Sequence, residues 1–75
     1  MVQPLPSQGV ADLNAALRKL ARNSNNVGAL IEAGKASLEV GDVDAAIGFF
    51  GRAEELEPTN ARIKLGMAEA YIRKQ

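Results

Sequence analysis

The chain has 75 residues, of which 47% are hydrophobic, and it carries nine basic and nine acidic side chains. This length allows only one small domain, and the apolar content excludes a disordered tail. A formal charge of zero excludes the broad basic surface on which nucleic-acid binding depends, so we expect no nucleic-acid partner.

The residue types that build most catalytic and metal sites are missing, because the sequence contains neither histidine nor cysteine. Asp42 and Asp44 have the spacing that opens a calcium loop. Such a loop needs glycine at its sixth position and glutamate at its twelfth, where this sequence has Ile47 and Ala53. We therefore expect no enzymatic activity, no cofactor and no metal.

The first residues show no helical period. Residues 1–9 contain two prolines and a glycine, which predicts an extended tail or linker. From residue 10 onward, apolar residues recur every three or four positions, which predicts a helix over 10–22. The stripe consists of Val10, Leu13, Leu17 and Leu20, with Ala16 and Ala21 beside them.

Three more helices are predicted over 27–40, 43–57 and 61–74, separated by residues that end or cap helices. An asparagine of the run 23–26 precedes the first of them, Gly41 and Asp42 separate the first from the second, and Pro58 and Asn60 separate the second from the third. Such short connections make consecutive helices pack antiparallel. The prediction is an all-α fold of about four helices, forming a single domain over 10–75. No apolar run approaches the roughly 18 residues of a membrane span, so no membrane insertion is expected.

A repeat of 34 residues is visible between Val27 and Asn60. Seven of its residues fall at the signature positions of the tetratricopeptide repeat (TPR) family: Leu30, Ala33, Gly34, Ala46, Phe50, Ala53 and Pro58. The chain therefore resembles this family, well over 27–75 and loosely over 10–26. The resemblance implies an α-solenoid fragment of antiparallel helix-turn-helix units, with one full repeat at 27–60 and the first helix of a second at 61–75.

The signature residues have physical roles in helix packing. Gly34 and Ala46 let the two helices of the pair approach closely, and Phe50 fills the wedge toward the next pair. Gly48 and Gly51 each cost a helix roughly 1 kcal/mol relative to alanine, and we expect the close packing of a neighbouring helix to compensate.

The second unit reproduces the first half of the repeat with changes. Met67, Ala68 and Tyr71 stand where the first unit has Ala33, Gly34 and Ser37, and Lys64 replaces the large apolar residue expected opposite Leu30. No second helix follows in this sequence to cover the unit, so either the chain is a fragment of a longer repeat array or another copy completes it. Unless it is covered in one of these ways, we expect part of this face to be exposed, with Ile63, Met67 and Tyr71 as the residues of self-association.

The resemblance implies a protein–protein interaction scaffold that binds a partner's peptide or helix in a concave groove. Carried over from the family, the groove positions form a partly apolar strip with charged edges. They are Ile31, Lys35, Leu38, Glu39, Arg62, Leu65, Glu69, Ile72 and Arg73. Two coverings of this strip without a peptide remain open: the first helix of the chain, or the terminal helix of a second copy.

The alternative function is structural self-association, as a homodimer through the uncapped C-terminal helix within a larger assembly. Residues 27–60 carry two basic and seven acidic side chains, whereas residues 61–75 carry four basic and one acidic. This uneven distribution has two explanations: solvated helix faces, or head-to-tail attraction between copies or neighbouring repeats. The second explanation favours self-association. The compartment stays unknown; resemblance to bacterial members of the family leaves the bacterial cytoplasm, or the periplasm if a signal sequence has been removed.

Overall fold

The computed structural model describes residues 8–75, which form four α-helices and no strand. Their bounds are α1 Gln8–Arg22, α2 Val27–Glu39, α3 Val43–Leu56 and α4 Ala61–Lys74. Each helix contacts the next, and α2 also contacts α4. The predicted all-α, helical-repeat fold is confirmed, and the predicted bounds of α2, α3 and α4 agree with the observed ones to within one residue.

Short polar side chains fix where the last three helices begin. The side-chain oxygens of Asn26, Asp42 and Asn60 each accept a hydrogen bond from a backbone N–H two or three residues later, at 2.9–3.1 Å. Such caps satisfy backbone donors that have no partner inside the helix. Gly41 has a φ of +84°, the left-handed conformation that lets the chain leave α2 and turn into α3.

The first helix begins earlier than predicted. Of the expected tail 1–9, residues 1–7 lie outside the described part of the chain, but Gln8 and Gly9 belong to α1, so the expectation is wrong for these two. Gly9 is buried, and a Cβ atom there would lie 2.8 Å from the Cβ of Glu39. Gly9 is therefore a site of close approach between α1 and the end of α2, and not a break in the helix.

The buried stripe of α1 also differs from the predicted one. Gly9, Ala16 and Leu20 are buried and Leu13 is partly buried, whereas Val10 and Leu17 are exposed. The observed stripe of Gly9, Ala16 and Leu20 is therefore rotated by about 60°, roughly a sixth of a turn, from the stripe of large apolar residues.

The aromatic ring of Phe50 is fully buried between two glycines of different helices. A Cβ atom on Gly34 of α2 would lie 2.7 Å from Cζ of this ring, and one on Gly66 of α4 would lie 2.5 Å from it. The ring therefore occupies the space that side chains at both positions would need. The predicted roles of Gly34 and Phe50 agree with these contacts, whereas Gly66 was not singled out from the sequence.

Around this ring the core consists mainly of small and aliphatic side chains. The other fully or almost fully buried apolar residues are Ala16, Leu20, Ala29, Leu30, Ile31, Ala33, Ala36, Leu38, Ala46, Ala53, Ile63 and Ala70. Close packing of four short helices through alanine and glycine leaves little tolerance for added volume.

Gly48 and Gly51 are not sites of close packing. Neither position has a side chain or a neighbouring backbone atom within 4 Å of where a Cβ would stand. The expectation that a neighbouring helix compensates for these glycines is wrong, because they lie on the side of α3 that turns away from α2 and α4.

The two kinds of glycine predict opposite effects of one substitution. Gly34→Ala and Gly66→Ala should each lower the free energy of unfolding by about 1–3 kcal/mol, because the new methyl group overlaps the Phe50 ring. Gly48→Ala should raise it by about 1 kcal/mol, because it only improves helix propensity. Urea unfolding followed by circular dichroism measures both. A stabilising Gly66→Ala would contradict the assigned packing.

Ser37 is the one buried polar side chain of the described chain, and its hydroxyl has no hydrogen-bond partner there. An unsatisfied buried hydroxyl costs free energy, whereas a methyl group in its place does not. Ser37→Ala should therefore raise the free energy of unfolding by about 1 kcal/mol. Thr59→Ala, at an exposed position, is the control and should change little. A destabilising Ser37→Ala would show that the hydroxyl has a partner.

Candidate interaction surface

Residues separated by one repeat length can be compared between α2 and α4, because each of these helices is the first of its unit. Ala29 and Ala36 of α2 are buried, and so are their counterparts Ile63 and Ala70 of α4. Between these positions, Glu32 of α2 pairs with Lys19 of α1, and its counterpart Gly66 of α4 lies against the Phe50 ring of α3. This side of each helix therefore faces the preceding helix.

The remaining positions differ sharply between the two helices. Ile31 and Leu38 of α2 are 2% and 4% exposed, whereas their counterparts Leu65 and Ile72 are 72% and 69% exposed. Tyr71 is half exposed, but its counterpart Ser37 is fully buried. The difference arises because α2 is followed by two helices that cover it, whereas within the described chain α4 is followed by none.

These residues define one continuous surface, which we call the open face of α4. At 100° per residue its members lie on a single side of the helix, opposite the side that packs on α3. The open face consists of Lys64, Leu65, Met67, Ala68, Tyr71 and Ile72.

The expected self-association face is only partly available. Ile63 is fully buried, so the expectation that it is exposed there is wrong: its side chain points toward α3 and belongs to the core. Met67 is partly buried and packs against the same core. Tyr71 is the member of this set that presents most of its surface.

Five of the nine predicted groove residues line one cavity of about 240 Å³ between α2 and α4. They are Lys35, Leu38, Glu39, Glu69 and Arg73. Ile31 is buried away from this cavity, and Arg62, Leu65 and Ile72 do not line it. The predicted strip of four apolar side chains is therefore not exposed as a whole, because Ile31 and Leu38 are buried while Leu65 and Ile72 are exposed.

Arg73 connects the two helices that form this groove. Its guanidinium donates one hydrogen bond to the backbone carbonyl of Leu38 at 2.9 Å and another to Glu69 at 3.0 Å. These bonds hold α4 against the end of α2, and they use part of the hydrogen-bonding capacity of the Arg73 guanidinium. Lys35, at the same cavity, makes no hydrogen bond or ion pair with the described residues.

Two basic residues from the ends of the chain form ion pairs with acidic residues in its centre. Lys19 of α1 pairs with Glu32 of α2 at 3.1 Å, and Lys74 of α4 pairs with Asp44 of α3 at 2.7 Å. The hydrogen bond and the charge of Asp44 raise the pKa of Lys74 above its usual 10.5. Both ammonium groups are therefore occupied by the acidic centre of the same chain, and contact between copies is not needed to neutralise them.

A larger cavity, of about 390 Å³, lies between α1 and α2. It is lined by Asp12, Ala15, Lys19, Glu32, Lys35, Ala36 and Glu39. Its charged side chains include both signs, and the Lys19–Glu32 pair spans it. The predicted groove residues contribute only Lys35 and Glu39 to this cavity, so it is separate from the open face.

Over residues 8–75, acidic side chains do not gather in a group that could hold a metal ion. None of the four helices described is long and apolar enough to cross a bilayer. The surface of this part of the chain thus includes an exposed apolar helix face and shallow charged cavities, which suit contact with another polypeptide.

Comparison with known proteins agrees with this geometry. A family model described as a tetratricopeptide repeat matches residues 37–75, more than half of the chain. Searches of curated proteins and of solved structures gave no significant match. The matched region contains α3, α4, the Phe50 ring and the whole open face. With four antiparallel helices, an aromatic residue wedged between two glycines and a matching family model, the chain belongs to the tetratricopeptide repeat family.

Proposed function

We propose that this chain binds an amphipathic helix or apolar peptide of a partner protein through the open face of α4, beside the charged groove between α2 and α4. Tetratricopeptide repeats are generally protein–protein interaction modules and typically non-enzymatic scaffolds. The proposal goes further, because it assigns the contact to particular side chains.

The exposure of Leu65 and Ile72 carries this proposal. They lie seven residues apart, two helical turns, and therefore on the same side of α4. Covering a large aliphatic side chain fully contributes about 1.5–3 kcal/mol, so two that are about 70% exposed offer a substantial part of a binding free energy. Their buried counterparts in α2 illustrate how a neighbouring helix covers these positions.

The charged groove would orient the bound helix or peptide. The walls of the groove carry charges of both signs along the edge of the apolar surface. Lys35 and Glu39 lie on one wall, and Glu69 and Arg73 lie on the other. Polar groups at the rim of an interface contribute more to register and selectivity than to affinity. We assign Arg62 to the same rim, at the N-terminal end of α4.

A charge placed on the apolar surface should abolish binding. Helical peptides selected for binding from a displayed library of unbiased charge should lose at least tenfold in affinity against Leu65→Glu and Ile72→Glu, because each variant would bury a carboxylate. Leu17→Glu, which changes an exposed leucine of α1, is the matched control and should bind normally. Circular dichroism checks that all variants keep their helix content. Selected peptides that bind both α4 variants unchanged would disprove the proposal.

Self-association through α4 is the second candidate function, favoured by the half-exposed ring of Tyr71 next to exposed Ile72. A twofold contact would bury both side chains against their copies. It would also bring together two helices that each carry four basic residues and one acidic residue, which opposes association at close range.

Sedimentation equilibrium separates the two candidates. If self-association is the function, the wild-type chain is dimeric at low micromolar concentration, and Tyr71→Glu makes it monomeric. The binding proposal expects the wild-type chain to be monomeric over that range. A wild-type dimer that Tyr71→Glu dissociates would establish the second candidate in place of the first.

A further inference from the structure

We propose that the partner helix received on the open face is acidic and carries a small residue at the position where α3 carries Phe50. This inference rests on the proposed function and adds the chemistry of the partner. The template is α3, because its Phe50 ring packs on Gly34 of α2, whose counterpart Ala68 belongs to the open face of α4.

The first constraint is steric and concerns Ala68. Its counterpart is Gly34, over which the Phe50 ring is packed so closely that a Cβ atom would lie 2.7 Å from it. Ala68 carries that Cβ atom. A helix that docks on α4 as α3 docks on α2 therefore has no room for a phenylalanine ring at this point and needs a small side chain.

Tyr71 of α4 replaces the volume of the phenylalanine ring that the incoming helix would lack. Tyr71 stands where α2 has Ser37, and its half-exposed ring projects from α4 itself. The aromatic group of the contact is thus supplied by the receiving helix, and a small residue on the incoming helix would leave space for it. This inverts the arrangement between α2 and α3.

The second constraint is electrostatic. Lys64 lies in the middle of the open face, where α2 has the buried Leu30. Its side chain makes no hydrogen bond or ion pair with the described residues. The carboxylate of Glu69 on the same helix is bonded by Arg73. A helix that covers Lys64 therefore costs less free energy if it brings a carboxylate to that ammonium group.

The orientation of the incoming helix strengthens the same preference. α3 runs antiparallel to α2, so a helix docked in the same way on α4 places its C-terminal turn near Lys64. Backbone carbonyls at a helix C-terminus carry partial negative charge and favour a cation beside them. Acidic residues in that last turn add to the attraction, as Glu54 and Glu55 would if α3 were placed there.

Another copy of this chain does not offer such a helix. Residues 8–22 carry three basic side chains and one acidic, and residues 61–74 carry four and one, so α1 and α4 are both net positive. The two acidic helices, α2 and α3, are held in the core of their own chain, α3 by the buried Phe50 ring and α2 by eight buried residues. These charges therefore favour a different polypeptide over a second copy as the occupant.

A synthetic peptide of residues 42–57 with Phe50→Ala is the probe, since it is an α3-like helix with a small residue at the critical position. Its side chains include five acidic and one basic residue. In titrations followed by NMR, it should bind the wild-type chain about tenfold more tightly than the unmodified peptide, with the shifts centred on the open face of α4. Ala68→Gly in the chain should remove most of that difference, because it restores the space for the ring.

The expected preference for an acidic partner is tested with the same peptide. Lys64→Glu should weaken binding about fivefold at low ionic strength, and added salt should reduce this effect. A peptide in which the glutamates at 54, 55 and 57 are replaced by lysine should bind at least tenfold more weakly to the wild-type chain. Arg18→Glu, at an exposed position of α1 away from the open face and the charged groove, is the control for a general change in charge.

Three results would overturn the inference. If the lysine-substituted peptide binds as well as the acidic one and Leu65→Glu still abolishes both, the acidic partner is wrong while the proposed function stands. If the unmodified peptide binds more tightly to the wild-type chain, it is replacing the chain's own α3 and not docking on α4. If no peptide of either charge binds, or sedimentation shows α4 covered by a second copy, both proposals fail.

Discussion

The structure depends on one ring held between three helices. Phe50 of α3 is packed against Gly34 of α2 on one side and Gly66 of α4 on the other, so a single side chain sets the distance between all three. A chain of 75 residues has a small core, and contacts shared by several helices contribute most to its stability. The alanines that line the same interfaces let the helices come close enough for this ring to touch both partners.

The same packing explains why the two ends of the repeat have different surfaces. Each first helix of a unit uses two sides, one for the helix before it and one for the helices after it. In α2 both sides are covered, whereas α4 satisfies only the side toward α3. A helical repeat is stabilised by contacts between neighbours, so a helix that the described residues leave uncovered on one side retains the shape and apolar character of a docking surface there. The interaction surface is a consequence of the architecture, to which Lys64, Ala68 and Tyr71 add selectivity.

Charge has separate roles inside the chain and at its open face. Lys19 and Lys74 connect neighbouring helices through ion pairs, and Arg73 pairs with Glu69 within α4. All three pairs are at exposed positions, where each contributes little to stability. Lys64 has no such partner, and it lies in the middle of the open face. An unpaired cation in that place repels another basic helix and attracts an acidic one. An interface distinguishes partners of similar shape in this way.

The sequence by itself determined the helices, their caps and the family, because apolar periodicity, glycine, proline and asparagine act through local geometry. It also indicated Gly34 and Phe50, and it predicted the bounds of α2, α3 and α4 to within one residue. Only the tertiary structure decided which equivalent side chains are covered. Ile31 and Leu38 are buried while Leu65 and Ile72 are exposed, although the repeat gives each pair the same position. The roles of Gly9, Gly66 and Ile63 also depended on the tertiary structure. The helix that packs opposite such a residue decides whether it ends a helix, makes a close contact or lies at the surface, and its neighbours in sequence do not.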